Sequence, residues 1–270
     1  MKTEELITMS LPYNESRNKT VRVYVPAHEE GETLPVIYMT DGQNVFDDEN
    51  VMFGCWYTRE AVREEAEKTG KSVIIVGIHN DEGAMERASE LTPKSIGRMN
   101  PLRPDIPDEQ AAMMKPAGEE FDDFVINVVM PAVEEKFPVK KGRENTAFCG
   151  SSSGGLVSFY ITLSHSDKFS AAGVFSLVPL YIVYDHDDVN NWIRSKIKGN
   201  MPYMYMFSGS AEGMEQEICT NMEMTYEFMK DLYPSEKIKK VISPDAPHHE
   251  SAWQGAFKDF LHIFLNSIGN

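Results

Sequence analysis

The sequence predicts an α/β fold built on a mostly parallel, eight-stranded sheet with helices on both faces. Short runs of apolar and β-branched residues recur along the chain, and the inner runs are almost continuously apolar. Such runs are typical of parallel strands that are covered on both faces. From the third run onward they alternate with amphipathic helical patterns, which indicates right-handed crossovers between parallel strands.

The individual elements follow from these two patterns. Strands are predicted at 4–9, 21–25, 35–40, 72–78, 145–149, 171–177, 203–208 and 238–243. Helices are predicted at 57–68, 119–136, 155–164, 216–232 and 253–266. No helical pattern lies between the first two strands, so we expect them to form an antiparallel edge. No repeat or low-complexity tract interrupts the alternation, and residues 1–270 are interpreted as one domain.

Residues 92–118 do not fit this alternation. The segment is rich in proline and methionine and shows no clear period. Long irregular segments inside compact domains are often functional. Two interpretations remain open at this point, a tolerated surface insertion and a lid-like insertion over the functional site.

The charge balance of the chain limits its partners. The 270 residues include 26 Lys and Arg against 42 Asp and Glu, which gives a formal net charge of −16. A surface of this sign repels phosphate backbones and anionic lipid, so neither a nucleic-acid partner nor a membrane partner is expected. A small molecule is the expected partner, and homo-oligomer formation is left open.

Cysteine usage and the first residues of the chain favour a cytoplasmic location. Glu4 and Glu5 occupy positions where a signal peptide would need apolar residues. Cys55, Cys149 and Cys219 are widely spaced and odd in number, which fits reduced thiols better than a disulfide framework. No Cys/His spacing resembles a zinc site, and neither a metal nor another cofactor is expected.

The stretch "CGSSSGG" at 149–155 is the strongest motif in the sequence. It lies between a buried-strand pattern and a helical pattern, and a strand joined to a helix through Gly-x-Ser-x-Gly is a nucleophile elbow. The glycines allow a turn too tight for side chains beside the two backbones. Among the three serines only Ser152 has glycines at both flanking positions of the motif, which predicts that Ser152 is the nucleophile.

A serine nucleophile of this kind needs a histidine base and an acid, which follow it in the order Ser, acid, His. His248 and His249 come after the last predicted strand, where the base is expected, and one of the two has to be a surface or helix-capping residue. Glu212 is the first acid after the strand at 203–208. Glu215 and Glu217 fall in the first turn of the next helix, where acids are often present for the helix dipole alone. Glu212 is therefore favoured as the acid.

Backbone N–H groups are needed to stabilise the oxyanion of the tetrahedral intermediate. One donor is expected from Ser153, which follows the nucleophile at the start of a helix. The other is expected from the loop "TDGQNVF" after the third strand, where Gly42 lets the backbone turn and Gln43 supplies the N–H.

Taken together, these segments resemble the "putative esterase" branch of the α/β-hydrolases. The matching stretches are "PVIYMTDGQNVF", "VGIHN" followed by "ERASELTP", "ENTAFCGSSSGGLVSFY", "MYMFSGSAE" and "HHESAW". The resemblance implies an α/β-hydrolase fold. The family has a His-x-Glu-x-x-Trp-like segment, and with Trp253 as its tryptophan the resemblance selects His248 as the base. The family also has a Gly-Thr-x-Glu-like segment, which matches the stretch that ends at Glu212 and again selects Glu212 as the acid. Ser153 departs from the family pattern, in which a methionine or similar residue is common there.

The resulting hypothesis is a serine carboxylesterase that hydrolyses small carboxylic esters, acetyl or hydroxycinnamoyl and including esters on carbohydrate, through an acyl-enzyme. An acyltransferase on the same triad, a siderophore-type (enterochelin) esterase and a non-catalytic binding relative are the alternatives. Aromatic side chains are candidates for substrate contact, with core packing as the other interpretation. These candidates are Trp56, Tyr181, Tyr184 and Trp253.

Overall fold

The structure is a computed structural model of the chain. It describes residues 2–47, 54–80, 83–102 and 115–268, with residues 267–268 described by their backbone only. The interpretation of 92–118 as a lid falls partly on residues 103–114, which lie outside the described residues.

The described residues form a single eight-stranded sheet, which confirms the strands predicted from the sequence. Its strands are β1 (Glu5–Asn14), β2 (Arg17–Val25), β3 (Val36–Met39), β4 (Ile74–Ile78), β5 (Thr146–Ser151), β6 (Ala171–Phe175), β7 (Tyr203–Gly209) and β8 (Ile238–Ser243). Their order across the sheet is β1-β2-β4-β3-β5-β6-β7-β8. The β1–β2 and β2–β4 pairs are antiparallel and all other pairs are parallel. The expected antiparallel edge is therefore present.

Helices cover both faces of the sheet. They are α1 (Thr58–Thr69), α2 (Ala84–Leu91), α3 (Gly118–Phe124), α4 (Met130–Lys136), α5 (Ser153–Ser164), α6 (Leu180–Val183), α7 (His186–Lys196), α8 (Met214–Met229) and α9 (Glu250–Ile263). A π-helical segment, Val125–Val129, joins α3 to α4. The sequence patterns did not predict α2, α6 and α7 as elements, because two of them are only one to two turns long and α7 follows α6 after two residues. None of the helices in the described ranges is long and apolar enough to cross a membrane.

Alternating residues of the central strands pack into two separate cores. In β3, Val36 and Tyr38 lie in a core with α3, α5, α7 and α8, while Ile37 and Met39 lie in a core with α1 and α9. All four residues are at most 1% exposed. Burial on both faces explains why the inner strands are continuously apolar in sequence.

The parallel strands bring six segments to one edge of the sheet. Because β3, β4, β5, β6, β7 and β8 run in the same direction, the segments that follow them all start at their carboxyl ends. The carboxyl edge of an open α/β sheet is where ligands bind in this architecture. The predicted nucleophile, acid, base and oxyanion residues all belong to these connections.

Gly42 shows how closely one of these connections packs. It lies in a 3₁₀ turn, Gly42–Asn44, and a Cβ added to it would be 2.4 Å from the carbonyl carbon of Gly77 and 2.7 Å from the backbone nitrogen of Ile78. Both neighbours are backbone atoms of β4 that cannot rotate away. The turn after β3 can therefore lie against β4 only if residue 42 has no side chain.

We expect Gly42→Ala to destabilise the protein by about 1–3 kcal/mol, the usual cost of overpacking, and to lower any activity that depends on this turn. Gly255→Ala is the matched control, since a Cβ at this α9 position meets no atom within 4 Å. That substitution is expected to gain up to about 1 kcal/mol through helix propensity. Chemical denaturation measures both changes, and an equally stable Gly42→Ala would contradict the close packing.

Candidate active site

Ser152 occupies the sharp turn between β5 and α5. Its φ of 58° and ψ of −122° lie in a region that residues with a side chain rarely adopt. Its backbone N–H donates to the carbonyl oxygen of Phe175 at 2.9 Å, and its carbonyl oxygen accepts from the N–H of Leu156 at 3.0 Å. These two bonds hold the strained residue between the neighbouring strand and the first turn of the helix.

The glycines around Ser152 leave no room for a side chain, because the Thr40 side chain and neighbouring backbone atoms lie close to them. A Cβ on Gly150 would lie 2.3 Å from Thr40 Oγ1, and one on Gly154 would lie 2.2 Å from the same atom. A Cβ on Gly155 would lie 2.8 Å from the carbonyl oxygen of Phe175. The steric reason given for the motif in the sequence therefore applies in the structure.

His248 pairs with Glu215. The Nδ1 atom of His248 lies 2.6 Å from Glu215 Oε2, and the side chains are 15% and 2% exposed. A carboxylate only accepts hydrogen bonds, so in the neutral imidazole Nδ1 carries the proton and Nε2 keeps its lone pair. This is the tautomer that a general base requires.

The preference for Glu212 as the partner of this histidine is wrong. Glu212 is exposed, whereas Glu215 is buried in the first turn of α8 and makes the contact with His248. An acid in the first turn of a helix can interact with the helix dipole, but in α8 this turn also points the Glu215 side chain inward. Periodicity contains the missed signal, because Glu215 is in register with the buried positions Ile218 and Cys219 of the helix.

Three donors hold the other oxygen of Glu215. Oε1 accepts from Ser176 Oγ at 2.7 Å, from Ser208 Oγ at 3.0 Å and from the N–H of Gly209 at 2.7 Å. Burial raises the pKa of this carboxyl group, but the hydrogen bonds from His248 and Ser176 outweigh that effect and bring the pKa below its ordinary value of 4.5. Glu215 is therefore ionised at neutral pH.

Trp253 and Ser176 connect this pair to the turn at Ser152. Trp253 Nε1 donates to Ser176 Oγ at 2.9 Å, and the His248 ring packs edge-on against Trp253 with centroids 5.2 Å apart. Ser176 directly follows Phe175, whose carbonyl oxygen accepts from Ser152. Within the described residues no direct hydrogen bond joins Ser152 Oγ to His248, and such contacts often tighten only when substrate binds.

His249 has a different position from its neighbour. It is the N-cap of α9, where its Nδ1 accepts from the N–H of Ser251 at 3.1 Å. One histidine of the pair was expected to be a cap or surface residue, and the geometry gives that position to His249. His165 pairs with Asp122 at the far end of α5, away from the nucleophile.

One predicted oxyanion residue lies at the start of a helix and the other lies within a 3₁₀ turn. Ser153 is the first residue of α5, and the first N–H groups of a helix have no acceptor within it. Gln43 is the central residue of the 3₁₀ turn after β3, and its Nε2 donates to Asn80 Oδ1 at 2.8 Å. The preceding Asp41 has a left-handed φ of 55°, which sets the direction of this turn.

Three of the four aromatic candidates for substrate contact are buried. Trp56, Tyr181 and Trp253 are 3–4% exposed. Trp56 packs against Phe175 and Trp253, and the hydroxyl of Tyr181 donates to Asn190 Oδ1. Core packing, the other interpretation of these residues, fits this burial. Tyr184 is partly exposed, and burial raises the pKa of its hydroxyl.

The carboxyl edge of the sheet carries a strained serine in one connection and, in two others, a histidine paired with a buried carboxylate. This arrangement suits acyl transfer through a serine nucleophile. In the part of the chain that the structure describes, His, Cys, Asp and Glu side chains form no group of three or more suited to hold a metal ion.

Solved structures of other proteins share this fold. An IroE-like serine hydrolase from Shewanella oneidensis superposes with a TM-score of 0.72 at 18% identity, covering 96% of this chain and 80% of the other. The siderophore hydrolase EstA from Aspergillus nidulans gives a TM-score of 0.68 at 17% identity, covering 95% and 94%. A ferulic acid esterase from Anaeromyces mucronatus gives 0.63 at 17% identity, covering 100% and 92%. At these identities the likeness establishes a common α/β-hydrolase fold.

Sequence comparison identifies the family. The uncharacterized protein YbbA of Bacillus subtilis is 20% identical over 268 residues, which are 96% of this chain and 94% of YbbA. The model of the putative esterase family matches residues 15–262, nearly the whole chain. The protein therefore belongs to the putative esterase family of α/β-hydrolases and is an ester hydrolase.

Proposed function

We propose that the protein is a serine carboxylesterase in which Ser152 is the nucleophile, His248 the general base and Glu215 the acid. The 2.6 Å contact between His248 Nδ1 and buried Glu215 is the observation that supports this most strongly. It orients the imidazole and leaves Nε2 available at the edge of the sheet where the Ser152 turn lies. Burial of an ionised carboxylate costs free energy unless hydrogen bonds compensate it, as those to Glu215 do.

In the proposed reaction, Ser152 Oγ attacks the ester carbonyl carbon while its proton passes to His248 Nε2. The negative charge on the carbonyl oxygen is stabilised by the backbone N–H groups of Ser153 and Gln43. The C–O bond to the alcohol then breaks, and His248 returns the proton to the departing oxygen. Water repeats the sequence on the acyl-enzyme, which frees the carboxylic acid and Ser152, while Glu215 stabilises the imidazolium in both halves.

The substrates we propose are small carboxylic esters, acetyl or hydroxycinnamoyl, including those on carbohydrate. The negative charge of the segments at the carboxyl edge supports a substrate that carries no negative charge. The described segments 176–188, 210–217 and 244–250 contain acidic residues and no lysine or arginine, whereas Asp41 and Asp47 in the segment after β3 are paired with Arg87 and Arg22. The potential of the former segments disfavours anionic substrates at distances within the Debye length.

A siderophore ester is the second candidate. The two structures with the higher TM-scores described above are an IroE-like serine hydrolase and a siderophore hydrolase, which favours this class. A strongly anionic siderophore would meet the acidic segments, so an uncharged or cationic one is the form that this edge accommodates.

A panel of aryl esters tests the proposal, from acetyl to octanoyl with hydroxycinnamoyl, anionic succinyl and cationic aminoacyl members. We expect turnover of uncharged esters and a lower kcat/KM for the succinyl ester, with the difference shrinking as salt is added. A siderophore ester belongs in the same panel. If no member is hydrolysed, the proposed function is wrong.

The histidine pair provides a matched test of the base. His248→Ala is expected to lower kcat by at least about a thousandfold, because it removes the group that accepts the Ser152 proton in the proposed reaction. His249→Ala is expected to keep kcat within a few-fold and to lose about 1 kcal/mol of stability with the helix cap. Steady-state kinetics and denaturation measure the two effects. Loss of activity in His249→Ala alone would identify His249 as the base instead.

A further inference from the structure

Arg87 on α2 connects the two loops that would surround the reacting carbonyl group. Its Nε lies 2.5 Å from Asp41 Oδ1 and its Nη2 lies 2.8 Å from Asp41 Oδ2, a bidentate pair. The same Nη2 donates to the carbonyl oxygen of Ser151 at 3.2 Å. The Asp41 side chain is 8% exposed and that of Arg87 is 24% exposed, so solvent screens the pair only weakly.

Both partners of Arg87 directly precede residues of the proposed machinery. Asp41 comes before the 3₁₀ turn that contains Gln43, and Ser151 shares a peptide bond with Ser152. One guanidinium thus fixes the distance between the turn that carries one oxyanion donor and the strand end that carries the nucleophile. Lysine could not reproduce these three bonds with a single ammonium group.

We propose that Arg87 is a positioning residue, which holds the oxyanion turn in register with the nucleophile and raises kcat without contributing to substrate binding. This inference rests on the proposed function. An oxyanion donor acts on charge that exists only in the transition state, so its displacement lowers kcat and leaves KM nearly unchanged. Misplacement by about 1 Å costs a factor of about a hundred.

The 3₁₀ turn after β3 is also held by contacts that do not involve Arg87, so a loss of positioning can be distinguished from a loss of folding. The N–H of Asn44 donates to the carbonyl oxygen of Asp41 at 2.8 Å, and Asn44 Nδ2 donates to buried Glu250 Oε1 at 3.2 Å. Gly42 also packs against Gly77. These contacts remain when Arg87 is replaced, so the fold should survive while the turn moves.

The experiment compares Arg87→Lys and Arg87→Ala with Arg63→Lys. Arg63 is the matched control, since it also makes two bonds to one carboxylate, that of Glu4, which is outside the candidate site. We expect Arg87→Lys to lower kcat about 10- to 100-fold with KM within about twofold, and Arg63→Lys to leave both unchanged. Millimolar guanidinium should restore part of the activity of Arg87→Ala.

Hydrogen exchange of the peptides covering 38–46 and 148–154 gives a readout that does not need turnover. Faster exchange in Arg87→Lys, but not in Arg63→Lys, supports the inference. Unchanged exchange together with unchanged kcat overturns it while leaving the proposed function intact. A wild type inactive on every ester overturns the proposed function, and exchange then still decides whether Arg87 holds the turn. If Arg87→Lys and Arg63→Lys lose the same stability and kcat is unaltered, Arg87 has only a structural role and the inference is overturned.

Discussion

Ser152→Ala is expected to lower kcat at least about a thousandfold for every ester that the wild type hydrolyses. Removal of the nucleophile from a serine hydrolase leaves only the catalysis that binding and the oxyanion donors provide. The wild type should also be labelled by a phosphonylating reagent, with the added mass on the peptide that contains Ser152. The alanine variant should remain unlabelled, since it has no hydroxyl oxygen at that position.

Ser151→Ala is the control for the register of the motif. Ser151 precedes the nucleophile and is buried in β5, and its backbone carbonyl oxygen, which contacts Arg87, is unaffected by the substitution. We expect its kcat to stay within several-fold of the wild type. If Ser151→Ala were inactive and Ser152→Ala active, the Gly-x-Ser-x-Gly motif would have been read one residue out of register.

The strain at Ser152 gives this experiment a stability readout. With φ at 58° and ψ at −122°, any residue with a Cβ is disfavoured, at a cost of about 1–3 kcal/mol. Ser152→Ala keeps that cost and Ser152→Gly relieves it. Both variants should therefore be inactive, while the glycine variant unfolds at higher denaturant concentration than the alanine variant. Equal midpoints would mean that the turn is not strained in solution.

The fold could be predicted because a strand that is buried on both faces of the sheet is apolar at consecutive positions of the sequence. The runs that form β3 and β4 are apolar at consecutive positions, and in β3 Val36 and Ile37 face different cores. Short helices leave no comparable trace. The segment Leu180–Val183 forms one turn, and its apolar residues resemble a continuation of the preceding strand.

Ser152 and His248 could be selected as candidates because each is marked by local sequence. A Cβ at Gly150 or Gly154 would collide with the Thr40 side chain, so this turn needs glycine at both positions. The acid has no such constraint. Its identity depends on which side chain of the loop after β7 turns inward, and this depends on the distant donors Ser176 and His248.

Glu215→Gln is expected to lower kcat by about a thousand- to ten-thousandfold while the protein remains folded. Oε1 accepts three hydrogen bonds, from Ser176, Ser208 and Gly209, so the glutamine oxygen should take this position and the NH₂ group should face His248. Nδ1 then has to accept, which places the imidazole proton on Nε2. A histidine in that tautomer cannot accept the proton of Ser152.

Glu212→Gln is the matched control, because Glu212 is the exposed acid of the same loop. Its kcat should stay within about twofold of the wild type, and the opposite result would restore Glu212 as the acid. Acid unfolding provides an independent measure. The pKa of Glu215 is below its ordinary value of 4.5, so the stability from its ionisation is fully present above pH 4.5 and is lost as pH falls through the folded-state pKa. Glutamine does not titrate, so the loss of stability on acidification below pH 4.5 should be smaller in Glu215→Gln than in the wild type.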